Sequence, residues 1–292
     1  MNLDELRERL TSLDKSLIKI IGERQSIVNE IGEYKLQVGR ATRDFERERA
    51  VLDSARSEAD RAHIDPDLAE EVIKLLIRSS LTKQEKDRVV AEGKGDGRKV
   101  LVIGGAGRMG KWFVNFFDSQ GFKTFVADRN INDDEFSFSD WRKAGVNFDI
   151  IVVATPIEIS AKILLELSKN KPEGLIFDIG SLKTPLRDGL KSLVNNGCLV
   201  TSLHPMFGPE TELLSDRHLI FVDVGNDKAT KKAKDLFGST MVKQLDMNID
   251  DHDRLIAYVL GLSHALNIVF FTALSGSREA APKLAKLSST TF

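Results

Sequence analysis

Residues 99–110, KVLVIGGAGRMG, decide how the second half of the chain folds. A short apolar strand runs straight into Gly105-x-Gly107-x-x-Gly110. In such a turn the first glycine permits a tight bend and the second lets backbone approach a pyrophosphate. The third lets helix and strand pack closely, with the phosphates at a helix N-terminus. An acid follows on schedule: FKTFVAD ends a second strand at Asp128, 23 residues after Gly105. An acid there accepts the adenosine ribose hydroxyls and favours NAD, while Arg129 beside it leaves NADP open. Gly105, Gly107, Arg108, Met109, Gly110 and Asp128 are therefore candidate cofactor contacts.

Beyond this turn, strands alternate with helices. Candidate strands lie at 122–127, 149–154, 175–179, 198–203, 218–224 and 241–246. The alternation predicts an α/β, Rossmann-like domain with a mainly parallel sheet covered on both faces. Ligands bind at the carboxyl ends of such strands. VVATP closes one strand at Thr155 and Pro156, and FDIGSLK offers Ser181 and Lys183 after another. SLHPMFGPE offers His204, read as lying on a post-strand loop stiffened by Pro205.

The first 90 residues have a different character. They read as three helices, the first with Leu3, Leu6, Leu10, Leu13, Leu17, Ile20, Ile27 and Ile31 in 3-4 alternation. About 34 residues make a helix of roughly 50 Å, too long for a small domain to bury alone. It needs a partner, and a second copy of itself is the expected one. The second helix begins near Asp44, and the third is started by Asp65 and Pro66. GKGDG, residues 93–97, is a flexible linker. Arg24 shares the seam of Leu3, Leu10, Leu17 and Ile31, with Arg7 and Lys35 beside it. Glu48 sits on the stripe of Phe45, Leu52, Ala55 and Ala59, and Ser80 and Gln84 are one turn apart. Inward cations of this kind fit a small dianion bound through its carboxylates. They also fit a coiled-coil dimeriser whose seam arginine sets register.

Totals bound the remaining options. The chain has 292 residues, enough for two domains, with 41% hydrophobic and 29% charged residues. A net charge of -2 argues against nucleic acid as the main partner. One cysteine, Cys198, excludes an internal disulfide framework and a Cys-rich zinc site, and no metal is expected. MNLDELRERL lacks the apolar core of a signal peptide, so a cytoplasmic enzyme is the default. Residues 255–275 are long and apolar enough to suggest a membrane span. Ser263, His264 and Asn267 near its middle would be costly in lipid, so a helix buried in a domain or dimer core is expected instead.

Two resemblances sharpen these readings. LRERLTSLDKSLIKIIGERQSIVNEIGEYK, RDFERE and SSLTKQ together resemble the all-helical chorismate mutase family. The resemblance implies an intertwined homodimer that buries chorismate among its helices. It assigns Arg7, Arg24 and Lys35 to the substrate carboxylates and ether oxygen, Arg7 reaching across from the other subunit. Asp44, Arg47 and Glu48 complete that pocket, Glu48 at the hydroxyl, while Ser80 and Gln84 flank the carboxylate and ether ends. GGAGRMG, VVATP, DIGSLK and LHPMFGPE, in this order and spacing, resemble prephenate dehydrogenase. Here the resemblance makes His204 the catalytic base or hydrogen-bond acceptor, with Ser181 orienting it and touching substrate. It puts Glu210 at the pocket entrance and His264 facing the substrate, and matches His252-Asp253 to the family's HD pair.

The organisation implied is an all-α mutase-type domain over residues 1–92 and a linker over 93–98. An NAD-binding domain over 99–248 and the start of an all-α C-terminal domain over 249–292 follow. The family's C-terminal domain continues further and carries an arginine for the ring carboxylate of prephenate, unmatched before Phe292, so the chain is expected to be truncated. The expected function is bifunctional: chorismate to prephenate, then prephenate to 4-hydroxyphenylpyruvate with NAD, in tyrosine biosynthesis. Two alternatives stay open, arogenate as dehydrogenase substrate and a mutase with an incomplete or regulatory NAD-binding domain.

Overall fold

The structure is a computed structural model and describes residues 2–276. Local signals start its helices where expected. Asn2 and Glu5 form a reciprocal capping box at the head of α1 (Leu3–Gln37). The Asp44 carboxylate caps α2 (Phe45–Ala62) by accepting from Arg47 N at 2.9 Å. Asp65 caps α3 (Pro66–Ala91), which has proline in its first turn. α3 packs along both α1 and α2. α1 nevertheless has no buried residue: Leu3, Leu10, Leu17 and Ile31 are between 47% and 61% exposed. Its apolar seam is uncovered in a single chain.

The second half is an eight-stranded sheet. Its strands are β1 (Lys99–Ile103), β2 (Lys123–Ala127), β3 (Ser137–Phe138), β4 (Ile150–Val153), β5 (Leu175–Asp178), β6 (Val200–Pro205), β7 (His218–Asp223) and β8 (Lys243–Asn248). The order is β3-β2-β1-β4-β5-β6-β7-β8, parallel throughout except between β6 and β7. Alternate residues of β1 serve opposite faces, as a period of two requires. Val100 and Val102 join a core with α4 (Arg108–Ser119) and α8 (Asp227–Asp235). Leu101 and Ile103 face α5 (Trp141–Ala144), α6 (Ile157–Asn170) and α7 (Arg187–Asn195). Val89 of α3 enters the first of these cores, so the helical domain is packed on the sheet domain.

Three expectations change. β3 has only two residues and carries no periodic signal, so it was not foreseen. His204 is not on a loop: it and Pro205 are the last residues of β6, paired with Ile220 and Leu219 of antiparallel β7. That ladder prolongs the strand to a proline that needs no N–H partner at a strand end. The third concerns the apolar C-terminal helix. α9 (Ile249–Ile256), a wide turn at Ala257–Gly261 and α10 (Leu262–Gly276) run as one helix. Ile249–Ala273 is long and apolar enough to cross a membrane, and only 6% of its most apolar window is buried. His252 and Ile256 at its head are covered, whereas every described side chain from residue 261 on is exposed. The expected burial is thus not met within one chain, because no other described element packs along α10. Residues 277–292, the rest of the expected start of a C-terminal domain, lie outside the described residues.

Candidate functional site

The glycine turn joins β1 to α4 at the point where strand order reverses between β1 and β4. Packing dictates three of its glycines, Gly105 among them, where a Cβ would lie 2.7 Å from Val126 Cγ1 and 3.0 Å from the Val102 carbonyl oxygen. Gly104 has φ +86, a left-handed conformation that favours glycine. A Cβ on Gly110 would lie 2.1 Å from the Gly104 carbonyl oxygen. Gly107 differs: its Cβ would meet the chain at one atom, 3.1 Å away. The chain crowds this position less than it does Gly104 or Gly110, and close approach of a pyrophosphate fits its open side. Gly107 also caps α4 without a side-chain bond to the first-turn N–H groups, which suits an anion at that terminus. Asp128 directly follows β2, whose last residue, Ala127, accepts from Gly104 N at 2.7 Å. Thr155 and Pro156 follow β4, with the Thr155 hydroxyl 2.8 Å from Ser160 Oγ. Arg108 and Glu210, both exposed, pair across the turn at 2.7 Å, and Met109 is half-buried against the core. The residues present fit a dinucleotide.

At the carboxyl ends of β5 and β6 lies a buried polar cluster. Lys183 is fully buried, and its Nζ donates to Asp178 Oδ1 at 2.7 Å and to the Leu203 carbonyl at 2.6 Å. Asp253 accepts from Lys183 N at 2.8 Å and Thr184 N at 2.7 Å. Burial pushes the Asp253 carboxyl up, but the hydrogen bonds from Thr184, Lys183 and His252 outweigh it, and the net is a fall to about 2. The ionised carboxylate therefore accepts a hydrogen bond from His252 Nδ1–H at 2.7 Å. His252 Nε2 is left as an acceptor for His204 Nδ1–H at 3.0 Å. The chain Asp253–His252–His204 fixes the tautomer of His204 and leaves its Nε2 with a free lone pair. Burial, then the charge of Lys183, lowers His204 from 6.5 to about 3, so it is neutral at pH 7.

This cluster redistributes the expected roles. The group on His204 Nδ1 is His252, a residue the sequence marked only as half of an HD pair. Ser181 is exposed, and among the described residues no hydrogen bond joins it to His204. His264 is exposed on α10.

In the helical half, Arg24 donates to Ser80 Oγ at 3.1 Å. Gln84 Nε2 donates to the Val28 carbonyl at 3.1 Å, and Lys35 Nζ to the Thr42 carbonyl at 2.7 Å. Gly32 makes the first of these possible, since a Cβ there would lie 2.9 Å from Gln84 Cγ. Lys35 and Gln84 line one cavity with Gly32, Arg40 and Thr42. Glu48 lies in a neighbouring one, where Arg43 grips both its oxygens at 3.0–3.3 Å. Arg43 opens the RDFERE segment but carried no expected role. The Arg47 side chain is exposed. Arg7 pairs with Asp4, also exposed. At 1.5 Å per residue Arg7 stands about 40 Å from Lys35 along α1, so one chain does not bring these two together.

A dinucleotide-binding oxidoreductase domain preceded by a helical domain lined with inward cations is the class that this geometry defines. Residues 6–85 match the family chorismate mutase type II, and residues 112–244 match the nucleotide-binding domain of prephenate dehydrogenase. Over 294 residues the chain is 26% identical to the T-protein of Enterobacter agglomerans, covering 99% of this chain and 75% of that one. It is 27% identical to the T-protein of Haemophilus influenzae over 90% of this chain and 67% of that one. The fold is shared with a prephenate dehydrogenase from A. aeolicus solved with hydroxyphenyl propionate and NAD+. The TM-score is 0.53 at 20% identity, over 63% of this chain and 71% of that chain. The chain thus joins a chorismate mutase type II domain to a nucleotide-binding domain of the prephenate dehydrogenase type, and it is similar to T-proteins over most of its length.

Proposed function

We propose that the two halves catalyse consecutive steps and that the residues assembled above carry them. The chain is a chorismate mutase and an NAD-dependent prephenate dehydrogenase of tyrosine biosynthesis. The product of the first reaction, prephenate, is the substrate of the second, which explains why the domains are joined.

The observation that carries the dehydrogenase reading is the Asp253–His252–His204 chain. Prephenate bears a hydroxyl on a non-aromatic ring. Neutral His204 takes the hydroxyl proton at Nε2 while hydride leaves the same carbon. Gly105, Gly107, Arg108, Met109 and Gly110 would hold the pyrophosphate side of NAD, with Asp128 on the ribose and Thr155 and Pro156 beside the nicotinamide. When bound, NAD supplies the hydride acceptor. Loss of CO2 then makes the ring aromatic, so the protein has mainly to align the substrate and hold a base. Ser181, Glu210 and His264 are assigned to substrate contacts on the family resemblance.

The mutase reaction is a pericyclic rearrangement with no nucleophile and no obligatory proton transfer. Arg24, Ser80, Arg47 and the second subunit's Arg7 position the carboxylates and compress the substrate into a reactive conformer. Lys35 and Gln84 stabilise the charge developing on the ether oxygen, Glu48 holds the hydroxyl, and Asp44 completes the pocket. The reach of α1 supports a homodimer, and pairing with a second copy would also cover the seam of α1 and the apolar face of α10. We assign the enzyme to the cytoplasm.

The test is a product assay with chorismate and NAD, quenched without acid. Appearance of 4-hydroxyphenylpyruvate with NADH supports both sites. Persistence of chorismate overturns the mutase assignment, and prephenate without NADH overturns the dehydrogenase assignment. Supplying arogenate in a parallel reaction separates the two dehydrogenase substrates. The glycine turn gives a further expectation. Gly107→Val should weaken NAD binding by at least about 100-fold with a smaller loss of melting temperature than Gly110→Ala, because its Cβ meets the chain at one atom, 3.1 Å away, and otherwise fills the ligand side. Gly110→Ala should instead lower stability by about 1–3 kcal/mol through its clash with Gly104. Calorimetric titration and thermal melts read the two effects, and equal melting losses would refute the distinction.

A further inference from the structure

The mutase cavity that holds Glu48 is closed on one side by the dehydrogenase domain. Its lining runs from Arg43, Glu48 and Arg78 to Leu213, Ser215 and Asp216. Arg43 is the bridge. Its Nε and Nη2 edge grips Glu48, while Nη1 donates to Ser215 Oγ at 2.6 Å and to the Asp216 carboxylate. The guanidinium is planar, so fixing Nη1 fixes the edge presented to Glu48. A second tie lies one element away. Glu85, next to Gln84 on α3, is 3% exposed and accepts from Leu214 N at 2.7 Å and Met241 N at 2.5 Å. A buried carboxylate of this kind is retained only where hydrogen bonds compensate its desolvation. Both ties thus reach the segment 213–216, which follows Glu210 in the chain, and Glu85 also reaches Met241.

We propose that Arg43, anchored by Ser215 and Asp216 of the dehydrogenase domain, is a positioning residue for the mutase reaction and orients Glu48 for the substrate hydroxyl. The inference rests on the assignment of Glu48 to that hydroxyl. Arg43 occupies one side of each carboxylate oxygen and leaves further lone pairs for the substrate. The dehydrogenase domain then completes the mutase site through a contact with no part in hydride transfer.

Asp216 offers a clean probe. Its φ of +62 is left-handed, a conformation asparagine adopts readily, so Asp216→Asn removes charge without straining the backbone. The experiment is a double-mutant cycle on mutase kcat in the full chain, with Glu48→Gln as the second change. Asp216→Asn is expected to lower mutase kcat about tenfold, with KM for chorismate and dehydrogenase turnover of prephenate within about twofold of the parent. In the Glu48→Gln background the same substitution should have no further effect, because the route runs through Glu48. Ser215→Ala should follow the same pattern at smaller size. An equal loss in both backgrounds means a general structural role and overturns the proposal. So does no loss in the parent while Glu48→Gln alone is slow. Full mutase turnover in Glu48→Gln instead overturns the assignment of Glu48 itself.

Discussion

His204→Asn is expected to lower dehydrogenase kcat by about 1,000-fold while mutase turnover stays unchanged, since a positioned general base contributes about 10²- to 10⁴-fold. Asparagine is smaller than the ring but keeps an N–H donor in place of Nδ1, and it offers no lone pair in place of Nε2. His252→Leu should cost about 100-fold, because His204 Nδ1–H then loses its acceptor and the tautomer is no longer fixed. A loss of less than about fivefold in either variant would sink the relay. The pH profile gives an independent check. With His204 held at about 3, the base form is present across the working range. Dehydrogenase kcat/KM should therefore show no acid limb near 6.5, and such a limb assigned to His204 would contradict the buried, neutral imidazole. Stability must respond in the opposite region. An unfolded chain binds a proton at His204 below its ordinary 6.5, whereas the folded chain does not until about 3. Between these values the unfolded state holds more protons, so stability rises with pH and is lost as pH falls through the window. His204→Asn should flatten that part of the stability curve.

Local chemistry made much of this architecture legible in the residues. Glycines at 105, 107 and 110 and the acid at 128 are fixed by one turn and one neighbouring strand, and both are local in sequence. The helix starts at Asp44 and Asp65 follow from side-chain caps for the same reason. What could not be read depends on partners far along the chain. His204 becomes a strand residue because β7, some 15 residues later, pairs with it. His252 acquires its role only when α9 returns to the end of β6, 48 residues from His204. Arg43 meets Asp216 across 173 residues, and no periodicity encodes a contact of that span. The exposed face of α10 makes the complementary point. Its composition announces burial, but composition is silent on whether the cover comes from the same chain.

The largest effect in the helical domain should come from Lys35. Lys35→Ala is expected to reduce mutase kcat by about 10²- to 10³-fold, the usual loss when a fixed donor to a developing negative charge is removed. Dehydrogenase activity supplied with prephenate should be unaffected, because Lys35 lies in the helical domain and its nearest partner is Thr42. Arg7→Ala should be comparably severe. These two variants together give a test that neither gives alone. Arg7 and Lys35 stand about 40 Å apart on α1, far beyond the length of any dicarboxylate they might share. If each site takes Arg7 from one subunit and Lys35 from the other, inactive variants must complement. In a mixed dimer one site carries both lesions and the other carries neither. Co-expression in equal amounts makes half the dimers mixed, each with one intact site of two, so about a quarter of parental mutase activity should return. Were the seam of α1 a dimerisation device alone, neither substitution would impair turnover and there would be nothing to restore. Were each site built within one chain, both variants would be inactive and the mixture would remain so. Recovery near a quarter is the result that only a shared site produces.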